Sequence, residues 1–407
     1  MYRCPPYMRI SSLCILGLVA FVTVGCGARA AQPTTPAAVQ NIEELHIEAQ
    51  ATPEGYVFTA FDAESLFQEG VRLSRAGECQ MGLQHYDRVA ADFPSSRFAA
   101  PSHYNAALCL KDSEDLEGAV ARFEVMIRNY PESEDVLHAR FQTLEIQLQL
   151  EQFEAGQAMA TEVLENEDLT PDQRVEAMAR QAQFLLGAGE NEAAGQKARE
   201  VLSYARLRPD DDEVVETYFL AAANYVYAET IRLRAAAIAL PQGTVAVQRP
   251  VLEERARLLL SAQREYFDTI RHTHAEWAAA AGYQIGAMYD TFWDAIMAAP
   301  VPPASPPLTG DDQVFYENEY RNALASLAKP LIRHSIRYWE LTLVMVERTG
   351  AESAWTERIH ADLERARERL LEQPEGPGGI PSANAPPPAE PSGGTESGLR
   401  YPTDGAI

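Results

Sequence analysis

The stretch GVRLSRAGECQMGLQHYDRVAADFP (Gly70–Pro94) is answered further along by ALCLKDSEDLEGAVARFEVMIRNYP (Ala107–Pro131). Gly70, Leu73, Gly77, Gly82, Tyr86, Val89 and Pro94 stand at the same offsets as Ala107, Leu110, Glu114, Ala119, Phe123, Met126 and Pro131, one period of 37 residues apart. Steps of three and four between apolar positions put them on one helical face, and the turn-forming centre of each stretch divides it into two helices. Small residues at Gly70/Gly82 and Ala107/Ala119 let the paired helices approach, while Tyr86 and Phe123 fill the space beside the next pair. Pro94 and Pro131 end the second helix, because proline lacks the N–H that a helix interior needs. Two such units in succession predict a stack of helical hairpins.

The same offsets recur faintly at Leu144, Gly156 and Val163, and clearly at Ala182, Leu185, Gly189, Ala194, Ala198 and Val201. They are the small, aromatic and proline positions of the tetratricopeptide repeat, so residues 55–209 are expected to form about four units. The serines of FPSSRFA (Phe93–Ala99) and NYPESED (Asn129–Asp135) are expected to cap the helices that follow. From 210 to 371 the beat is lost and longer helices are expected at about 252–271, 275–296, 314–328, 331–348 and 353–371, with a Pro-rich insertion at 299–312. Within this half Ile285, Gly286 and Tyr289 keep the first-helix pattern, which suggests divergent repeats or a helical bundle. Residues 26–54, rich in Ala, Pro, Thr and Gln, read as a flexible tether. Residues 372–407, dense in Pro, Gly, Ser and Glu, read as a disordered tail too poor in apolar surface to order itself. No run of alternating β-branched residues stands out. The predicted fold class is all-α: a tetratricopeptide-like helical-hairpin solenoid followed by a divergent helical-repeat or bundle half.

With units ending in ADFPSS and RNYPES, and the second opening on HYNAALCL, residues Ser65 to Val136 resemble repeat scaffolds of Gram-negative cell envelopes. These are the BamD-type outer-membrane lipoprotein family and the YbgF/CpoB-type family. The resemblance implies a scaffold that binds envelope proteins in envelope assembly or maintenance; beyond Asp210 it offers no guide.

Composition bounds the partners. Thirty-four basic against 59 acidic residues give a net charge of -25, a field that repels nucleic acid, whose phosphates need clustered Lys and Arg. The N-terminus reads as a signal peptide over residues 1–25, with Arg3 and Arg9 ahead of the apolar run Ile10–Val24. That run is short of the roughly 20 residues a membrane span needs. Gly25-Cys26 at its end resembles the lipobox of bacterial lipoproteins, in which the cysteine is acylated, although Thr23 stands where that family prefers Leu or Val. Gly27 after the cysteine implies the periplasmic face of the outer membrane. The alternative is cleavage at Ala28-Arg29-Ala30, which would leave a soluble periplasmic protein. Export leaves Cys79 and Cys109 in an oxidising compartment. Antiparallel packing of their helices would bring them near, as a candidate disulfide or as two buried thiols.

Among motifs for chemistry, no phosphate loop, serine elbow, paired-cysteine zinc spacing or HExxH is present. His272 and His274 are two apart on a helix and do not converge on one ion. The acidic run RPDDDE (Arg208–Glu213) reads as a helix start favoured by the helix dipole. No catalytic residue, metal or cofactor is assigned, and an enzyme, such as a hydrolase in the C-terminal half, is the least favoured class. The expected activity is protein binding along the concave face of the repeats, with Phe67, Tyr104, Lys111, His138 and Phe141 facing that groove. Phe67 and Phe141 also suit an inter-repeat core. An alternative ligand is peptidoglycan or another polysaccharide, held by the aromatic segment Trp277 to Trp293.

Overall fold

The computed structural model describes residues 44–53, 55–208, 214, 216–350 and 354–372. The expected signal segment, Cys26, the start of the expected tether, 209–213 of the acidic run and the expected tail from 373 lie outside the described residues. Among the described residues, thirteen helices follow one β-hairpin. Among them, none is long and apolar enough to cross a membrane.

The hairpin departs from the expected tether. β1 (Leu45–Thr52) and β2 (Gly55–Asp62) pair antiparallel with Leu45 opposite Asp62 and Thr52 opposite Gly55. Alternation sorts Leu45, Ile47, Ala49 and Ala51, with Tyr56, Phe58 and Ala60, onto one exposed apolar face. The other face meets the first repeat. Phe61 is buried edge-on against Phe93 at 6.1 Å, and the Arg88 guanidinium lies 3.6 Å from the Phe61 ring centre while pairing with Glu48. Asp62 then caps the first helix, accepting from the Ser65 N–H at 2.7 Å in a reciprocal capping box.

Hairpins of helices follow in order: α1 (Ala63–Arg75) with α2 (Cys79–Asp92), α3 (Ala99–Asp112) with α4 (Leu116–Asn129), α5 (Val136–Gln149) with α6 (Phe153–Leu164), and α7 (Pro171–Gly187) with α8 (Asn191–Arg206). The pattern continues past the expected boundary in longer helices, α9 (Tyr218–Ala236) with α10 (Val245–Arg271) and α11 (Ala275–Met297) with α12 (Asp311–Thr349), closed by α13 (Ala354–Glu372). The second half is thus a continuation of the hairpin stack. The odd-numbered helices touch one another in one layer, α1 on α3, α5 on α7, α7 on α9, α9 on α11 and α11 on α13.

The small residues do what their positions demand. A Cβ on Gly70 would meet the Tyr86 ring at 2.7 Å, and one on Gly156 would meet Phe184 at 2.2 Å, with Tyr86 and Phe184 both deeply buried. The pairing recurs in the divergent half, where a Cβ on Gly286 of α11 would meet the Trp339 ring of α12 at 2.3 Å. Pro94 and Pro131 follow the ends of α2 and α4 as expected. Two local expectations fail. Ser96 and Ser133 do not cap α3 and α5; their hydroxyls accept from Phe98 and Asp135 N–H groups, shaping the preceding turns. Nor does Pro330 divide α12, which runs unbroken because Ala325, Ala328, Ile332 and Trp339 form one buried stripe spanning the proline. That burial offsets the roughly 3 kcal/mol a mid-helix proline costs.

Candidate binding groove

The odd-numbered layer carries the candidate site. Lys111 on α3 reaches across to α5, its ammonium donating to Gln142 Oε1 at 2.9 Å and Glu145 Oε1 at 2.8 Å. Beyond that pair, α5, α7, α9, α11 and α13 converge on a cleft of about 520 Å³. Its walls include Glu145 and Gln149 from α5, Arg180 and Gln183 from α7, Tyr218 and Phe219 from α9, Glu276 and Trp277 from α11, and Trp355 from α13.

The cleft is held by buried polar bonds. Arg180 is nearly buried, pairs with Glu176 at 3.0 Å and lies 5.1 Å from the Phe219 ring centre. The Tyr218 ring packs 5.7 Å from Trp277, which in turn packs 5.3 Å from Tyr225. Behind them Tyr225 accepts from the Gln284 amide at 3.3 Å, and buried Glu229 takes the Tyr266 hydroxyl and a fork from Arg232. A satisfied network of this kind fixes the aromatic wall in place.

Its electrostatics lean negative. Burial raises the Tyr218 hydroxyl above the usual tyrosine range, and the Glu276 and Glu145 carboxylates raise it further against Arg180. Burial also raises the Glu176 carboxyl; Arg180 offsets this, whereas Glu145 and Glu216 add to it. Lys111 and Arg180 each have a carboxylate partner, and Glu276, on the exposed rim, has no ion pair among the described residues.

The predicted groove residues scatter. Lys111 lies on the odd face, and His138 is exposed at the start of α5. Phe67 is half-buried, lining a separate cleft of about 480 Å³ between α1 and α3 and packing 5.2 Å from Phe98. Tyr104 packs edge-on against Phe123 at 5.5 Å, on the flank of a core cluster. Phe141 is corrected to the core: it is buried with Leu144, Val163 and Phe184, filling the space between units.

Cys79 and Cys109 stand as free thiols in this structure, and packing makes them neighbours. Burial, with the hydrogen-bonded Cys109 thiol beside it, pushes the Cys79 thiol up to about 12. The Ser74 hydroxyl lies 3.1 Å from Cys109 Sγ. His272 and His274 diverge, one ring meeting Asn224 at 2.9 Å and the other Thr217 at 2.8 Å. Trp277 and Trp293 also part: Trp277 lines the cleft, whereas Trp293 is buried with Arg369 over its ring at 4.8 Å. Sequence reasoning missed Arg180, Tyr218, Phe219, Glu276 and Trp355. Only their assembly from four helices marks them, and neither spacing nor composition announces it.

Comparison with known proteins adds little. No family model matches the chain, and no curated protein matches it. Among solved structures it is similar to a tetratricopeptide repeat protein from Parabacteroides merdae, at 11% identity over 75% of this chain and 98% of that one, with a TM-score of 0.39. It is also similar to YrrB, described as a TPR protein with an unusual peptide-binding site, at 19% identity, 53% and 92% coverage and a TM-score of 0.36. A third is MamA from Desulfovibrio magneticus, at 13% identity, 50% and 95% coverage and a TM-score of 0.33. Likeness at this level carries no functional argument. The chain's own packing is what shows a helical-hairpin solenoid of the tetratricopeptide kind.

Proposed function

We propose that the protein is a non-catalytic scaffold that holds extended segments of partner proteins on its odd-numbered helix face. In this reading Cys26 carries lipid, and the scaffold works at the periplasmic face of the outer membrane in envelope assembly or maintenance. The observation that carries the binding role is the cleft of about 520 Å³ into which five odd-numbered helices send side chains. A preformed concavity that sets an aromatic wall beside a few placed polar groups is the usual form of a binding site. The anchor rests on Gly25-Cys26 at the end of the apolar run and on the Ala/Pro/Thr-rich stretch after it.

A photo-crosslinking residue at Gln149, in the cleft wall, is expected to capture a discrete partner in cells. The same residue at exposed Glu192 on α8 is expected not to capture it. Equal capture at both positions, or none at Gln149, would overturn the binding role. A second reading, polysaccharide binding, is favoured by one observation: Trp277 and Trp355, two indoles suited to stacking on sugar rings, line the same cleft.

A further inference from the structure

We infer that the cleft between α5 and α13 selects a basic side chain, arginine above all, on the extended segment it holds. The inference rests on the scaffold reading and adds the chemistry of its ligand. Three features of the cleft converge on a cation. Tyr218, Trp277 and Trp355 line the cleft with aromatic rings, whose negative quadrupole attracts a cation within about 6 Å, while the Phe219 ring is already taken by Arg180. Glu276 stands on the rim as a carboxylate without an ion-pair partner among the described residues, in a chain of net charge -25. The surrounding carboxylates act on the site already, since Glu276 and Glu145 both hold the Tyr218 proton on more tightly.

The aromatic wall is itself a guanidinium receptor. Arg180 lies 5.1 Å from the Phe219 ring centre and Arg358 lies 5.0 Å from that of Trp355. Arg180 is locked by Glu176 and cannot leave. Arg358, one turn along α13 from Trp355, occupies a ring that an incoming arginine would use, so it acts as an internal competitor. A planar guanidinium can stack on a ring and present a fork to Glu276 at once, which a compact ammonium cannot.

The charge on the guest side chain decides the test. The full chain in detergent is titrated with an extended peptide carrying one central arginine, and with the same peptide carrying neutral citrulline, following tryptophan fluorescence. The arginine peptide is expected to bind about tenfold more tightly, an advantage that shrinks in high salt. Glu276→Gln is expected to erase most of that advantage, and its exposure leaves folding intact by thermal melt. Arg358→Ala is expected to tighten arginine binding about threefold. Equal binding of the two peptides, an unchanged Glu276→Gln variant, weaker binding by Arg358→Ala, or capture of a chito-oligosaccharide with no peptide binding would each overturn the inference. If Gln149 crosslinks a partner while the arginine preference is absent, the scaffold reading stands and only the ligand chemistry falls. If both fail, the face is not a binding surface.

Discussion

His103, at 6% exposure in α3, has its Nδ1 buried without a hydrogen-bond partner. Burial, with the Arg122 guanidinium adding to it and Asp87 opposing, pulls its imidazole down to about 4. The folded chain therefore holds His103 neutral where an unfolded chain would take up a proton. Stability from this residue is full above about pH 6.5 and is lost as the pH falls from there towards 4, by about 3 kcal/mol in all. Urea melts across that range should show the slope, and His103→Gln should flatten it; equal slopes in both proteins would refute the assignment. The sequence told less at this scale than at any other. Phe141 and Lys111 both sat at groove offsets, yet the helix stagger turned the phenyl ring into the space beside Phe184 and left the ammonium reaching Glu145. A repeat offset specifies a helical face to within a residue or so, and one residue of rotation decides between core and groove.

At the scale of the helix, caps and breaks were only partly readable. Local chemistry put the ends of α2 and α4 ahead of Pro94 and Pro131, but long-range packing overrode the same residue type at Pro330. The hairpin was hidden because LHIEAQAT alternates largely through Ala, with only Ile47 and Thr52 β-branched, and because it rests on Arg88 and Phe93, which lie far along the sequence in and just after α2. α13 rests on similar long-range bonds. Arg369 bridges to buried Asp290 at 2.5 Å, whose carboxyl is raised by burial and lowered in turn by that arginine, and Tyr283 donates to Asp362 at 2.9 Å. Arg369→Leu would leave the Asp290 charge buried and unpaired, at a cost of about 3 kcal/mol borne mainly by the docking of α13. Hydrogen exchange should then speed up across 354–372 while α3 and α4 keep their protection. Asp290→Asn added to Arg369→Leu should restore part of it. Uniform loss throughout the chain would contradict a local latch.

Across the whole molecule the stack is close to one-dimensional, each hairpin leaning on its neighbours. The repeat arithmetic was legible wherever Gly, aromatic and Pro fell at fixed offsets, and it faded where α9 to α12 lengthened, though Gly286 against Trp339 preserves the same small-to-large contact there. The cleft could not be read at all, because it draws on residues as far apart in the sequence as Glu145 and Trp355. The location of the molecule hangs on one atom. If the Cys26 sulfur is acylated, Cys26→Ser is expected to move the protein from the membrane fraction to the soluble one; a soluble unmutated protein would end that reading.

The β-hairpin adds a mechanical consequence to such an attachment. The chain enters β1 at Leu45 and leaves β2 at Asp62, and these two residues face each other at the open end of the ladder. A pull from the N-terminal side therefore parts the strands one pair at a time, like a zip, instead of shearing every pair together. Fully drawn out, the residues from Leu45 to Asp62 would lend roughly 60 Å of slack before any force reached the helices. If the N-terminus is held, the hairpin is therefore the element expected to yield before the helical stack.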